Sequence, residues 1–460
     1  MELHKDFIDE IRNLLPEECE ELLKAVGESD ASVSIRTNSR KCATEPSHLK
    51  RVDWCERGYY LDKRQPFTFD PLFQTGAYYV QDASSMILQH IVSLLVSEPV
   101  RYLDLCAAPG GKTTAAIDAL PDGSLLVSNE IMGNRAQILK ENVIKWGNPN
   151  CIVTNNDSAS IGRLTHYFDV IAADVPCSGE GMFRKDEEAV SQWTPALVRQ
   201  CADRQREIID NIWSALRPGG LLIYSTCTYN RDEDEDMVEY MMSEYGAESI
   251  DLNLPIEWHI HGGIGTAAHC YRFLPHLTKG EGLFVAVLRK SSDEPIQQIS
   301  MRRKGKNAGK PAQTPKAVKQ WLEGSFTFAP IGDSIVATPA HLDDDIALLR
   351  SNLHVIHAGV EVASAKGKDY IPAQALLLST AYRRSAFPTC EVDYATAMAY
   401  MRGETITLDG TAPRGIVALT YRSTPIGFVK NLGNRANNLY PKEWRIKSTH
   451  IPAEAPKILD

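Results

Sequence analysis

Between residues 100 and 230 short apolar runs alternate with amphipathic stretches, and this alternation predicts the fold. The runs at 100–105, 125–129, 151–154, 170–174 and 221–226 have the length and apolar character of buried strands. Between them, 134–145 and 195–216 carry apolar residues at helical spacing. The second places Leu197, Cys201, Ile208, Ile209, Ile212 and Leu216 on one stripe, with Pro218-Gly219-Gly220 as its stop. Strand, turn and helix in repetition mean a parallel sheet with helices on both faces. Two late strands, 271–274 and 283–288, would close it. In such sheets ligands bind beyond the C-terminal ends of the strands.

The flanks read differently. Phe7, Ile8, Ile11, Leu14 and Leu15, then Leu22, Leu23 and Val26, recur at helical spacing, with Pro16 starting a second helix. Residues 32–36 alternate like a strand, 54–81 read as irregular structure with short strands, and Ser84 and Ser85 lead into a helix over 86–96. After the sheet, 293–320 is a basic, Gly- and Pro-containing linker and 321–380 is an intermediate segment without an assignable pattern. A helix at 394–401 and strands at 415–421 and 425–430 predict a small α+β module over 381–460. The expected organisation is thus a lead-in over 1–95, an α/β domain over 96–292, the linker, the intermediate segment and the C-terminal module.

Composition narrows the class. A chain of 460 residues with 43% hydrophobic and 23% charged residues is an ordinary globular composition for two to four domains. The N-terminus carries no basic-then-apolar signal, and no apolar run reaches membrane-spanning length, so a cytoplasmic protein is expected. Ten cysteines without a C-x-x-C argue against a zinc ribbon or disulfide scaffold. Cys19, Cys42, Cys55, Cys151, Cys201, Cys270 and Cys390 read as core fillers, and no metal site is expected. The net charge of −10 hides two basic stretches, 301–320 and 421–450, compatible with salt-sensitive RNA binding. A solvated linker accounts equally well for the first.

Candidate chemistry gathers at the predicted strand ends. The run 221–226 stops at Cys227, between Thr226 and Thr228, and the run 170–174 leads to Pro176-Cys177-Ser178-Gly179. The first strand runs into Asp104-Leu105-Cys106-Ala107-Ala108-Pro109-Gly110-Gly111-Lys112-Thr113-Thr114, a glycine turn opening a helix whose amides can approach a ligand closely. A phosphate loop would need glycine where Cys106 stands, and the glycine spacing of a dinucleotide fingerprint is absent. The remaining reading is a nucleoside without phosphates. It calls for an acid after the next strand to accept from ribose hydroxyls, which Glu130 supplies, and a polar group after the following one for the adenine edge, which Asp157 supplies. Either acid alone would read as a cap or turn residue; in series they favour S-adenosylmethionine.

These residues resemble the signature motifs of the RNA 5-methylcytosine methyltransferases, the Nop2/Sun or RsmB/RsmF family: 104–114, Asp174-Val175-Pro176-Cys177-Ser178-Gly179-Glu180-Gly181 and Tyr224-Ser225-Thr226-Cys227-Thr228. Residues 76–86 resemble the family's entry into the catalytic domain. Residues 400–404, 427–430 and 440–445 resemble the PUA-like tail of the bacterial RsmF branch. The resemblance implies a Rossmann-like class I methyltransferase sheet with an N-terminal α+β extension and a PUA-like module, both binding RNA. It implies methyl transfer to carbon 5 of a cytosine, in 16S-type ribosomal RNA or the small ribosomal subunit, by a monomer. Cys227 would be the nucleophile, Cys177 would assist release, Asp174 would polarise the base at ring nitrogen 3 and Lys112 would add positive charge. DNA cytosine methyltransferases use the Pro-Cys thiol as nucleophile instead. The implied cofactor residues are Cys106, Ala107, Ala108, Pro109, Gly110, Gly111, Lys112, Glu130, Arg135, Asp157 and Asp174. Of the neighbouring stretches, 181–185 reads as a flexible loop able to hold the base or simply as a connection. The acids of 232–236 read as a helix N-terminal turn or as a repeller of misplaced phosphates. The same chemistry on tRNA, a non-catalytic ribosome assembly factor and a nucleotide hydrolase built on Gly110–Thr113 are the competing functions.

Overall fold

The computed structural model describes residues 3–42, 45–292, 314–367, 369–448 and 450–459. Residues 293–313, most of the expected basic linker, lie outside the described residues; just beyond them Lys316–Lys319 forms a short helix. No helix among the described residues is long and apolar enough to cross a membrane.

Helices Lys5–Leu14 and Cys19–Glu28 precede an antiparallel sheet of Val33–Thr37 (β1), Lys50–Val52 (β2), Cys55–Leu61 (β3) and Tyr78–Val80 (β4), in the order β2-β3-β1-β4. The second helix starts three residues beyond Pro16. The stretch expected to be irregular therefore holds a seven-residue strand, β3, whose last four residues are all buried; its Tyr59-Tyr60 pair masks the strand period.

The catalytic sheet contains Arg101–Asp104 (β5), Leu125–Asn129 (β6), Cys151–Thr154 (β7), Phe168–Asp174 (β8), Leu216–Thr226 (β9), Glu248–Ser249 (β10), His261–Gly262 (β11), Cys270–Phe273 (β12) and Leu283–Arg289 (β13). Its parallel centre runs β7-β6-β5-β8-β9, and β13 and β12 follow β9 antiparallel. The chain winds outward from β5 in one direction and resumes at β8 in the other, so the switch point lies between β5 and β8. Leu103, Val127, Ile152, Ile171 and Leu222 are at most 1% exposed, each such side chain contributing about 1.5–3 kcal/mol by burial. The helix before β9 ends at Ile212 rather than 216, and the strand already begins at Leu216. Pro218-Gly219-Gly220 does not stop a helix: it lies in a register shift of β9 against β8, between the pairs Phe168↔Leu216 and Val170↔Leu221.

The intermediate segment folds as Phe326–Ile331 (β14), Ser334–Pro339 (β15), Val355–Ala358 (β16), Val360–Lys366 (β17) and Asp369–Pro372 (β18). β16 leaves its neighbours and pairs antiparallel with β7, so the catalytic sheet extends beyond residue 292. β7 is buried throughout and would otherwise present an open edge. Thr389–Glu391 (β19), Gly415–Tyr421 (β20), Thr424–Asn431 (β21) and Ala436–Asn438 (β22) form the last sheet, beside helix Tyr394–Met401. That module shares a core with the N-terminal sheet: Met398, Met401, Val417 and Leu419 pack in one cluster with Ile35, Tyr59, Leu72 and Tyr78.

Candidate active site at the strand ends

Register brings the two cysteines together. β8 and β9 pair Asp174 with Ser225, so the residues just past each strand end share one site. Cys177 and Cys227 stand with Sγ atoms 3.2 Å apart, and the Cys227 amide donates to Cys177 Sγ at 3.4 Å. Both are partly exposed, and Cys227 lines a cleft of about 430 Å³ that also meets Cys106, Gly111, Lys112 and Asp174, with Cys177 directly behind it. Lys112 Nζ lies 2.9 Å from one Asp174 carboxylate oxygen, and Ser225 Oγ donates to the other at 2.8 Å. The aspartate is held in one orientation on the cleft that Cys227 also lines. Contact with Cys227, and after it burial, raises the Cys177 thiol well above its ordinary range.

Two buried carboxylates, absent from the expected site, stitch the cysteine loops together. Glu180 accepts from the amides of Tyr229 and Asn230 at 2.6 and 3.1 Å, from Trp193 Nε1 at 2.9 Å and from Asn230 Nδ2 at 3.0 Å. Glu233 accepts from the Ser178 amide at 3.0 Å, Asn230 Nδ2 at 2.8 Å and Gln205 Nε2 at 2.7 Å. Each acid bridges the loop after β8 and the loop after β9. Burial raises the Glu233 carboxyl to about 7. Gly181 completes the packing: its amide donates to Cys227 O at 2.9 Å, and a Cβ there would come within 3.0 Å of that oxygen. The only signal for Glu180 in the sequence was its place inside the Pro-Cys motif.

Two expectations about this region are corrected. The acids of 232–236 lead into a helix, Glu235–Tyr245; Glu233, Asp234 and Glu235 are fully buried and cannot meet phosphates, which leaves Asp232, exposed, and Asp236, paired with Arg231. Arg272, itself 1% exposed, neutralises Asp234 at 3.2 Å and also pairs with Glu235. The segment 181–185 is pinned rather than flexible: Phe183 is buried against Phe7, and Arg184 pairs with Glu281 at 2.8 Å. Only Met182 and Lys185 of this segment are exposed.

The cofactor end is built on the turn after β5. Gly110, at φ +114°, turns the chain into helix Gly111–Ala119. Arg36 of β1, fully buried, donates to Gln81 Oε1 at 2.9 Å and lies 3.3 Å from Asp118, tying the N-terminal sheet to that helix. Tyr79 and Gln81 thereby form the wall facing Gly111. Glu130, 3% exposed, accepts from the Met132 amide at 2.9 Å and lies 3.6 Å from Arg135, whose guanidinium also donates to Ala108 O at 2.8 Å. Asp157 is exposed and caps helix Ser158–Gly162 through the Ser160 amide at 2.8 Å. The capping interpretation thus holds for one of its oxygens. Of the residues expected to be core fillers, Cys19, Cys55, Cys151 and Cys270 are buried, whereas Cys42, Cys201 and Cys390 are partly exposed.

Residues 92–289 match the family model of the 16S rRNA methyltransferase RsmB/F, 3–83 that of the N-terminal domain of RsmF, and 387–446 that of the RsmF PUA domain. The ribosomal RNA small subunit methyltransferase F of Klebsiella pneumoniae (strain 342) is 31% identical over 416 residues, spanning 86% of this chain and 84% of its own. The chain belongs to the RsmB/F methyltransferase family. The corresponding enzyme of Erwinia tasmaniensis is 29% identical over 95% of both chains. Among solved structures, a methyltransferase homolog protein from Pyrococcus horikoshii superposes with a TM-score of 0.53 at 26% identity, covering 62% of this chain and 95% of its own. NSun6 from the same organism, solved with the S-adenosylmethionine analogue SFG, shares the fold with a TM-score of 0.54 at 21% identity, covering 63% of this chain and 99% of its own.

As an RsmB/F enzyme the protein is an S-adenosylmethionine-dependent methyltransferase, and its turn after β5 suits that ligand. The Gly110-Gly111 turn leaves backbone room beside Tyr79 and Gln81, no phosphate-binding glycine pattern is present, and the buried Glu130 keeps acceptor capacity for vicinal hydroxyls.

Proposed function

We propose that the protein methylates carbon 5 of a cytosine in RNA, small-subunit ribosomal RNA being the substrate that its relatives' names give for them, with Cys227 as nucleophile. The observation that carries this reading is the Cys227 thiol on one cleft with the Lys112–Asp174 ion pair, backed at 3.2 Å by the thiol of Cys177. Cytosine carbon 5 is too electron-poor to accept a methyl group directly. Addition of the Cys227 thiolate at carbon 6 makes carbon 5 an enamine nucleophile. Bound S-adenosylmethionine supplies the electrophilic methyl. Loss of the carbon 5 proton to a base then restores the double bond and expels the Cys227 thiolate.

Asp174, oriented by Lys112 and Ser225, meets ring nitrogen 3 and favours the addition when it carries a proton, which it donates or shares there. Cys177, a thiol kept protonated by its surroundings, sits against the departing sulfur and assists release. Glu130 and the amides of 106–111 hold the cofactor together with Arg135, and Asp157 offers its second oxygen toward the adenine edge. The target base must leave its stack to reach Cys227, so the substrate nucleotide is unpaired or flipped out. The segments over 1–95 and 381–460 flank the catalytic part over 96–292 as RNA-contacting modules, and the enzyme works as a cytoplasmic monomer.

The test is transfer of labelled methyl from S-adenosylmethionine to RNA, with the product base identified by mass spectrometry. Cys227→Ala abolishes transfer on this reading; full activity would refute the nucleophile assignment. Cys177→Ala accumulates a covalent protein–RNA adduct, visible as a slow gel band during turnover, and its absence counts against a release role. Methylation mapping in a strain lacking the gene separates ribosomal RNA from tRNA.

A further inference from the structure

Beside the catalytic cleft lies a wider groove of about 780 Å³, walled by the turn after β3, the 29–33 segment and the loop over 275–280. Lys185 lines both spaces and joins them. Lys63, Arg64, Lys185 and Lys279 are exposed along this groove. Lys63, Arg64 and Lys279 have no ion-pair partner among the described residues, and Lys279 and Arg64 lie over the rings of Tyr60 and Phe67 at 4.5 and 5.9 Å. Arg184, by contrast, has its charge matched by Glu281 at 2.8 Å, and Lys185 lies 3.8 Å from both Glu281 and Asp82. Asp30 and Asp62 also face the groove, so it is not uniformly positive. In a chain of net charge −10, however, unpaired cations at the mouth of the active site mark where an anion approaches. Leu277, 38% exposed, adds an apolar surface on which a base can rest.

We propose that this groove holds the unpaired RNA strand adjoining the target nucleotide, with Lys63 and Lys279 on its phosphates and Lys185 where the strand turns into the cleft. The inference rests on the reading of the cleft as a site of RNA methyl transfer. A base that enters the cleft carries its backbone along the rim, and the neighbouring phosphates then need partners. A base that has left its stack belongs to a strand that is unpaired at that point, so the occupant of the adjoining groove is a single strand. An unstacked strand also presents bases to Leu277.

The experiment measures the affinity of a fluorescent single-stranded oligoribonucleotide with a central cytosine by anisotropy, across a salt series, for the parent protein and Lys63→Ala/Lys279→Ala. The expected result is a Kd raised roughly tenfold and a plot of log affinity against log salt shallower by about 1.4, which is 0.7 for each lost contact. The KM for S-adenosylmethionine stays at the parent value. An unchanged Kd and salt slope overturn the proposal, as does displacement by polyglutamate or by a duplex of the same sequence as readily as by the single strand. Methyl incorporation measured on the same samples separates the two readings. A parent protein that shows the groove effect but forms no 5-methylcytosine removes the reaction and keeps the groove. One that methylates while the double variant binds normally does the reverse.

Discussion

Replacing Glu180 by glutamine tests whether the buried carboxylates set the geometry of the thiol pair. Glu180 accepts five hydrogen bonds, from the Tyr229 and Asn230 amides, Trp193 Nε1, Asn230 Nδ2 and, more weakly at 3.4 Å, Ser178 Oγ. A glutamine of the same shape keeps one acceptor oxygen for the two amides and turns an NH2 toward Trp193 Nε1 and Asn230 Nδ2, which are themselves donors, and toward the Ser178 hydroxyl, which can rotate to accept. Two hydrogen bonds to a charged acceptor are lost in a site only 1% exposed. At about 1.5–3 kcal/mol each, the cost is about 3–6 kcal/mol. That is a large fraction of the roughly 5–15 kcal/mol by which a domain is stable, and it falls on the loops that carry Cys177 and Cys227. The expected outcome is a Tm lowered by roughly 6–20 °C, with methyl transfer reduced well below the parent rate at temperatures where the variant is still folded. Calorimetry and a single-turnover assay at such a temperature measure the two effects separately. A Tm within about 2 °C of the parent, less than a single kcal/mol would produce, together with an unaltered single-turnover rate would show that Glu180 does not organise the site.

Asp174→Asn removes the carboxylate that shares the cleft with Cys227 while retaining the Ser225 contact; we expect single-turnover methyl transfer to fall by about 10²–10⁴, with S-adenosylmethionine affinity, read by calorimetry, changing far less. Asp104, fully buried beneath the cofactor turn, has its carboxyl raised to about 7 by burial. An acid raised in the folded state contributes stability that is fully present below its unfolded value near 4 and is lost as pH rises toward 7. Asp104→Asn should therefore flatten the decline in thermal stability between about pH 4 and 7; an unaltered slope across buffers would show that another group is responsible. Arg272→Met leaves Asp234 and Glu235 buried without their cation and is expected to destabilise by about 3–5 kcal/mol, measured by urea unfolding.

The central strands were legible because each is an apolar run bounded by polar turns: 125–129 and 151–154 coincide with β6 and β7. The helix Tyr394–Met401 and the strand Gly415–Tyr421 were equally plain. Pro218-Gly219-Gly220 misled because a helix stop and a strand irregularity use the same residues, and only pairing with β8 distinguishes them. The intermediate segment gave no clear pattern because β14 is largely exposed and β16 takes its partner from β7, some 200 residues earlier in the chain. In the site, Cys177, Cys227, Asp174 and Lys112 were readable as motif residues; the last three line the cleft, and Cys177 backs Cys227 at 3.2 Å. Glu180 and Glu233 were not, since an acid in a loop reads as solvated until tertiary structure buries it.

The core shared by the N-terminal sheet and the C-terminal module has a consequence for biosynthesis. Ile35, Tyr59, Leu72 and Tyr78 emerge from the ribosome early, whereas their partners Met398, Met401, Val417 and Leu419 lie some 300 residues later. At about 5–20 residues per second, that face stays uncovered for roughly 15–60 s in every round of synthesis. The nascent chain must therefore carry an open apolar surface for most of its own production, a natural binding site for a chaperone, and the wall of the cofactor cleft reaches its final support only when translation is nearly complete.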